Sequence, residues 1–517
     1  MADTPDDATV SVSEMLEKLS IATDEERKEL LEQARPHLLA PDAGFKFKQH
    51  LEQGNFSVIF QCLKTKDKTV VLATTEILSR IFEFIDPAIV MEKYSDFLLQ
   101  GLEHDLPQVK EVMIGVINRC LSSTSDARNT ILEKKTLLAT AAKCLIDKDL
   151  SVSKQAHKML KTLAAIRNSQ GQIHLFLEPF LSCSKEMLEV IDDALKLRVL
   201  ELFVEVSNMS QEHLELATKE RLLQSLFEDL KKDDDVLVQL NALEIISNLA
   251  ESKQGFQYLS SLNILQNMDA RLNQVASGSM AHFLMPGYIK FFGRIAHHSP
   301  SIFSTAYPNF SAILLTMLNS DDQDGQILAL EVLGHIALTQ EGKKMLLMQN
   351  SLRSQFFDVL RSKIKSGTSD AKARALSVFV DVVRNVELIE DMDEVHSREL
   401  FETLQGSETM TYITDLAKKP FPDISSGAFD ILVAICVYPW AVQQMLNIGG
   451  FFEYLLDRST AKDKEGKEHK YHLISAICCQ REVNNLVPPE ILKEFRLYVK
   501  QGPFYVEATV QVALDEM

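Results

Sequence analysis

The feature that most constrains this chain is an apolar triplet that keeps returning. A pair of apolar residues is followed, at three and four residues' distance, by a third: Ile77-Leu78 with Ile81, Val116-Ile117 with Cys120, Met159-Leu160 with Leu163. The series continues through Leu202-Phe203 with Val206, Ile245-Ile246 with Leu249, Phe291-Phe292 with Ile295 and Val332-Leu333 with Ile336. It closes with Phe379-Val380 and Val383, Ile431-Leu432 and Ile435, and Leu473-Ile474 and Ile477. Residues three and four apart share one face of a helix, so each triplet is a buried stripe. Small or apolar residues seven positions before the closing residue, such as Ala156, Val199, Ala242, Ala329, Leu376 and Ala428, lengthen that stripe. Strands would need a period of two, and no segment sustains it.

Taking the closing residues as anchors, their spacings are 39, 43, 43, 43, 46, 41, 47, 52 and 42 residues, a mean of 44. A helical period in the forties lies in the armadillo/HEAT range. A single unit cannot bury its stripe alone, so neighbours must stack into a continuous core. Scarce helix breakers (19 Gly and 15 Pro in 517 residues) agree with this. The fold predicted is all-α, an armadillo/HEAT-like α-solenoid of about ten helical repeats wound as a right-handed superhelix.

The order within a unit is also legible. A polar turn precedes the anchored helices: Asp105-Leu106-Pro107, Asp147-Lys148-Asp149, Asp233-Asp234-Asp235, Asp321-Asp322, Pro422-Asp423. Asp suits a helix N-cap and Pro the first turn. A glycine follows some anchors closely (Gly171, Gly255, Gly342), and apolar residues come after it. This predicts a third, shorter helix per unit, an armadillo more than a HEAT trait. The expected divisions are a disordered tail over 1–11, an N-terminal helical cap over 12–60, and repeats over 61–485 with a longer insert around 385–415. A C-terminal cap over 486–507 and a flexible tail over 508–517 complete them. The acidic stretch Glu387 to Glu394 lies in the insert.

Charge and cysteine narrow the function classes. Lys and Arg number 54 against 73 Asp and Glu, a net charge of −19. A dedicated nucleic-acid binder would carry a basic stripe instead, so no nucleic-acid partner is expected. Seven cysteines at irregular spacing do not form a disulfide framework. The first nine residues lack the apolar core of a leader peptide. The most apolar stretch, Ala428 to Val442, is broken by Asp430 and Pro439, so no membrane span is expected. The sequons at Asn55, Asn208 and Asn309 then read as chance matches. A soluble, monomeric protein of the cytoplasm is expected, with the nucleus as a second compartment.

Enzyme motifs are missing: no G-x-G-x-x-G, Walker loop, G-x-S-x-G or H-E-x-x-H occurs. Neither His297-His298 nor Cys478-Cys479 has metal-ligand spacing. Ser320 to Glu331 matches a calcium loop at several positions but fails at the first ligand, Ser320, and the repeat register places it in an interhelix turn. No catalytic, cofactor or metal site is expected. What remains is the column of residues five and one before each anchor, off the buried stripe and on one face. It reads Glu201/Glu205, Glu244/Asn248, Lys290/Arg294, Glu331/His335 and Asp430/Ala434. Stacking would align it along the inner, concave surface, either as an ordinary solvated helix face or as a polar ladder that grips a partner. Partner-binding candidates are Glu201, Glu244, Lys290, Arg294, Glu331, His335 and Asp430, with Trp440, the single Trp, as an aromatic anchor that is otherwise a packing residue.

Several longer motifs carry a resemblance. They are Met285-Pro286-Gly287-Tyr288-Ile289-Lys290-Phe291-Phe292-Gly293, Pro420-Phe421-Pro422-Asp423, Tyr438-Pro439-Trp440-Ala441, Gly450-Phe451-Phe452-Glu453-Tyr454, Asp457-Arg458-Ser459 and the stretch from Arg496 to Val506. Together they resemble the family of 26S proteasome non-ATPase regulatory subunit 5, a proteasome base assembly chaperone family, from about residue 60 onward. The resemblance implies a non-catalytic chaperone of the 19S regulatory particle base. Its direct partner would be the C-terminal domain of 26S proteasome regulatory subunit 7. The intermediate would also hold a second ATPase subunit and the large non-ATPase scaffold subunit, and the chaperone would leave before the mature particle forms. The alternatives are an armadillo-type transport adaptor or a generic protein-interaction scaffold. An adaptor would show a Trp/Asn ladder and a basic N-terminal arm, where this chain has one Trp and Asp3, Asp6 and Asp7.

Overall fold

The structure, a computed structural model, describes residues 18–19, 22–38, 57–123, 125–167, 192–232, 235–384 and 393–506. Every regular element among the described residues is a helix. Ten of them carry the anchors. We label them α1 (Lys68–Phe84), α2 (Pro107–Leu121), α3 (Leu150–Ala164), α4 (Asp193–Ser207), α5 (Val236–Ala250), α6 (Ala281–His298), α7 (Gln323–Ile336), α8 (Ser369–Val383), α9 (Pro422–Ile435) and α10 (Lys464–Cys479). All ten anchors are buried, the least so Val206 at 7% exposure.

These helices begin where the polar turns stand. The side chains of Asp67, Asp149, Asp192, Asp235, Asp322 and Asp463 accept hydrogen bonds from first-turn N–H groups of α1, α3, α4, α5, α7 and α10. Pro107 and Pro422 occupy the first turn of α2 and α9. Each such cap satisfies a donor that has no partner within its helix, worth about 1 kcal/mol. Asp233, Asp234, Gly171 and the tails expected at 1–11 and 508–517 lie outside the described residues, as do 385–392 of the acidic insert. Residues 393–415 hold helix Asp393–Glu402, a short 3-10 turn at Gly406–Glu408 and the start of helix Thr409–Ala417.

The chain divides into two compact units, Met1–Gly255 and Phe256–Met517. In the first, α1 packs on α2, α2 on α3, α3 on α4 and α4 on α5. Helix Asp24–Leu38, within the expected N-terminal cap, packs on α1. In the second unit α6 through α10 pack in the same successive way, and helix Pro489–Gln501 covers α10. Two further rows of helices accompany the anchored row. One is illustrated by Ile264–Ser277, Pro308–Leu318 and Asn350–Ser366, each packed on the next. The other is shorter, as in Pro87–Lys93 on Ser125–Glu133 and Gln340–Met348 on Asp393–Glu402. Three helices per unit is the armadillo arrangement that the glycine positions imply.

Polar side chains staple one repeat to the next. The ring Nε2 of His104 bonds the Leu63 carbonyl at 2.9 Å, and that of His213 bonds the Ala164 carbonyl at 2.9 Å. In the second unit Arg361 donates to the Leu404 carbonyl at 2.7 Å and Arg458 to the Gly502 carbonyl at 2.8 Å. The partners are 41, 49, 43 and 44 residues apart, one repeat. A cation or ring N–H at the carbonyl end of a helix satisfies acceptors that the helix itself cannot. Asn208 belongs to this set, since its side chain donates to the Asn248 carbonyl at 2.6 Å and accepts from Ser252 at 2.6 Å. Asn309 also reaches one repeat back, its side-chain amide donating to the Asp269 carboxylate at 3.0 Å. Cys62, Cys120, Cys144 and Cys436 are buried thiols outside any disulfide, and burial pushes the Cys120 and Cys144 thiols up to about 12 and about 11. Such thiols serve as small apolar side chains rather than nucleophiles.

Candidate partner-binding surface

In the first unit the residues off the buried stripe line a groove of about 690 Å3 between α3 and α4. From α3 come Lys154, Lys158 and Lys161, three and four apart and therefore on one face. From α4 come Arg198, Glu201 and Glu205. The carboxylate of Glu205 lies 2.6 Å from Lys161 Nζ and 3.1 Å from His157 Nε2. Burial works to raise the Glu205 pKa, but the bonds from Lys161 and His157 outweigh it and hold the carboxyl below its usual range. Arg198, also in the lining, donates to the Asp147 carbonyl at 2.8 Å. Glu201 and, on α5, Glu244 are exposed. A second concavity of about 660 Å3 lies beside Phe60, Phe97 and Val71, rimmed by Lys64, Lys66 and Lys68.

In the second unit Lys290 on α6 and Asp430 on α9 are exposed, and Glu331 on α7 meets Arg374 on α8 at 2.7 Å. Arg374 also reaches Asp370 at 3.7 Å. His335 is stacked on His297, ring centroids 4.3 Å apart. His297 Nδ1 lies 2.7 Å from the His335 carbonyl. Burial, and then the nearby His297, Arg294 and His298, push the His335 pKa down to about 4. At neutral pH it is an uncharged ring in a cationic corner, not a cation offered to a partner.

Trp440 takes the packing alternative. It is 5% exposed, 5.4 Å from Phe401 and 6.1 Å from Tyr438 by ring centroids. Its indole N–H is buried with no hydrogen-bond partner among the described residues. The structure thus brings Glu201 and Glu205 together in one groove, and Arg294 with His335 in one corner. It pairs Glu331 with Arg374 and places Trp440 inside. The sequence column omitted Lys154, His157, Lys158, Lys161 and Arg374. One of them had a signal: the same offsets applied to the anchor Leu163 give Lys158, with Thr162, and both line the groove. In the calcium-like stretch Asp322 caps α7 and Glu331 pairs with Arg374.

Stacked three-helix units with charged, grooved faces define a helical-repeat solenoid of the armadillo/HEAT kind, a protein-interaction fold. Sequence comparison assigns it further: residues 12–516 match the family model described as Proteasome non-ATPase 26S subunit, and the chain belongs to that family. It is 26% identical over 471 residues to human 26S proteasome non-ATPase regulatory subunit 5, covering 91% of this chain and 92% of the human one. The Drosophila melanogaster protein of that name is 25% identical over 458 residues, covering 87% of this chain and 86% of its own. Among solved structures, yeast importin-beta superposes with a TM-score of 0.52 at 16% identity, over 94% of this chain and 56% of that one. That likeness is one of fold.

Proposed function

We propose that this chain is a chaperone for assembly of the proteasome's 19S regulatory particle base. Its membership of a proteasome subunit family supports a proteasome-related role. The observation that carries the reading is the extent of the match. The likeness to the regulatory subunit 5 proteins runs over about nine-tenths of both chains, not over a shared repeat alone. On this reading the chain binds the C-terminal domain of 26S proteasome regulatory subunit 7. It does so within an intermediate that includes a second ATPase subunit and the large non-ATPase scaffold subunit. It acts as a monomer in the cytoplasm, with the nucleus as a second location, and departs before the mature particle forms. The mechanism is steric and non-catalytic: a bound solenoid covers a face of the ATPase and delays its docking. The exposed charges at Glu201 and Glu244 in the first unit, and separately at Lys290 and Asp430 in the second, suit partly electrostatic contacts.

The test is capture of the purified C-terminal domain of regulatory subunit 7 by the tagged full chain, together with recovery of complexes from lysate. Direct binding of the domain, with mature holoenzyme left behind, is the expected result. Charge reversals at Glu244 and Lys290 should weaken binding without lowering the melting temperature. Failure to bind the domain, with unrelated partners recovered, would return the chain to the adaptor or scaffold reading.

A further inference from the structure

We propose that the groove between α3 and α4 is the docking site for an extended segment of the partner polypeptide that is acidic and partly apolar. The inference rests on the reading of this chain as a protein-binding chaperone and adds to it the chemistry of the segment held.

The charge of the groove runs against that of the molecule. The chain carries −19 overall, yet the groove gathers Lys154, Lys158, Lys161 and Arg198 against Glu201 and Glu205. Two of those cations are already engaged, Lys161 by Glu205 and Arg198 by the Asp147 carbonyl. The other two, Lys154 and Lys158, are exposed and have no side-chain partner among the described residues. They stand one turn apart on α3, so they present two ammonium groups to the same side of the groove. Fields from distant charges are damped over about 8 Å at physiological salt, so a carboxylate inside the groove responds mainly to its walls.

The rim adds the apolar part. Leu150, at the start of α3, is 54% exposed and Met209, just past α4, is 38% exposed. An extended chain points alternate side chains to opposite sides, so acidic residues can face the lysines while apolar ones meet Leu150 and Met209. The 15 residues of α3 make a wall of about 22 Å, room for about six or seven residues of extended chain. Nucleic acid fits less well. Among the described residues the groove lining includes no Phe, Tyr or Trp on which bases could stack.

The probe is a fluorescein-labelled peptide of about ten residues alternating Glu and Leu, long enough to overrun the groove. Gln–Leu and Lys–Leu peptides of equal length are the controls. Fluorescence polarisation is read on the full chain at low and physiological salt. The Glu–Leu peptide should bind at least about tenfold more tightly than the Gln–Leu peptide, with affinity falling as salt rises. The double variant K154E/K158E should lose that preference at unchanged melting temperature, and K154R/K158R should keep it. Equal binding of Glu–Leu and Gln–Leu peptides, or full Glu–Leu binding by K154E/K158E, would overturn the proposal. The same variants are then tested for capture of the ATPase domain. Reduced capture by K154E/K158E supports the groove as that partner's site, and undiminished capture overturns that assignment. If wild-type chain selects the acidic peptide but captures no ATPase domain, the chaperone reading has failed and the groove's preference for acidic segments has not.

Discussion

Gly342 passes so close to the carbonyl oxygen of Ile336 that a Cβ built on it would lie 1.9 Å from that oxygen. Gly255 stands in the same relation to Leu249, also at 1.9 Å. Each glycine sits six residues after an anchor, and its N–H is capped at 3.0 Å by a hydroxyl three residues earlier, Thr339 or Ser252. Here the chain leaves the buried helix and starts the short one, and no side chain fits in the gap. Gly342→Ala is expected to destabilise the protein by about 1–3 kcal/mol through forced backbone displacement. Gly115→Ala, inside α2 where a Cβ would meet nothing within 4 Å, should instead stabilise by about 0.5–1 kcal/mol. Urea denaturation of the two variants beside wild type measures both, and equal midpoints would contradict the account.

The corner around His335 makes stability depend on pH. Its pKa is pushed down from 6.5 to about 4 in the folded chain. Between those values the unfolded chain binds the proton more readily, so acidification favours unfolding. The contribution is complete above pH 6.5 and is lost as pH falls toward 4. His335→Gln should flatten the fall in melting temperature over that window. An unchanged slope would mean that other groups, such as the carboxylates titrating nearby in pH, dominate it.

The C-terminal end is pinned by one guanidinium. Arg458 donates to the carbonyls of Gly502 and Pro503 at 2.8 and 3.3 Å, and lies 3.7 Å from the centre of the Tyr498 ring. Lysine has neither the fork nor the plane needed for this. Arg458→Lys is expected to lower the melting temperature, and deletion from Arg496 onward should lower it further. The deletion removes Tyr498 and the second half of the helix that covers α10. A truncated chain melting with wild type would refute the capping role of helix Pro489–Gln501.

Much of the fold was legible because a stripe at three and four residues is a local property of a helix. Ile81 through Ile477 could therefore be assigned to the core without knowing what covers them. The caps at Asp149, Asp235 and Asp322 were legible for the same reason. The ladder was only half legible. Offsets from an anchor place a residue on a face of its own helix, but the neighbour decides whether that face is open. From Val383 the same offsets give Val378 and Val382, both buried, and Val378 fills the space left by Gly334 on the preceding helix. The pairings of Lys161 with Glu205 and of Arg374 with Glu331 depend on the register between helices, which a stripe does not encode. Trp440 was ambiguous because an aromatic at a helix start suits a contact or a core equally.

The burial of Trp440 gives the protein a built-in optical label. With one indole in 517 residues, intrinsic tryptophan emission comes from a single point between Phe401 and Tyr438, inside the second unit. An indole sealed from water emits at shorter wavelength than a wetted one, so its red shift during denaturation times the opening of that unit alone. Circular dichroism, by contrast, follows the helices of the whole chain. If the two units melt as one body the curves coincide, as two-state behaviour demands. Because contacts in a stacked array run only between neighbours, the expected result is that they separate.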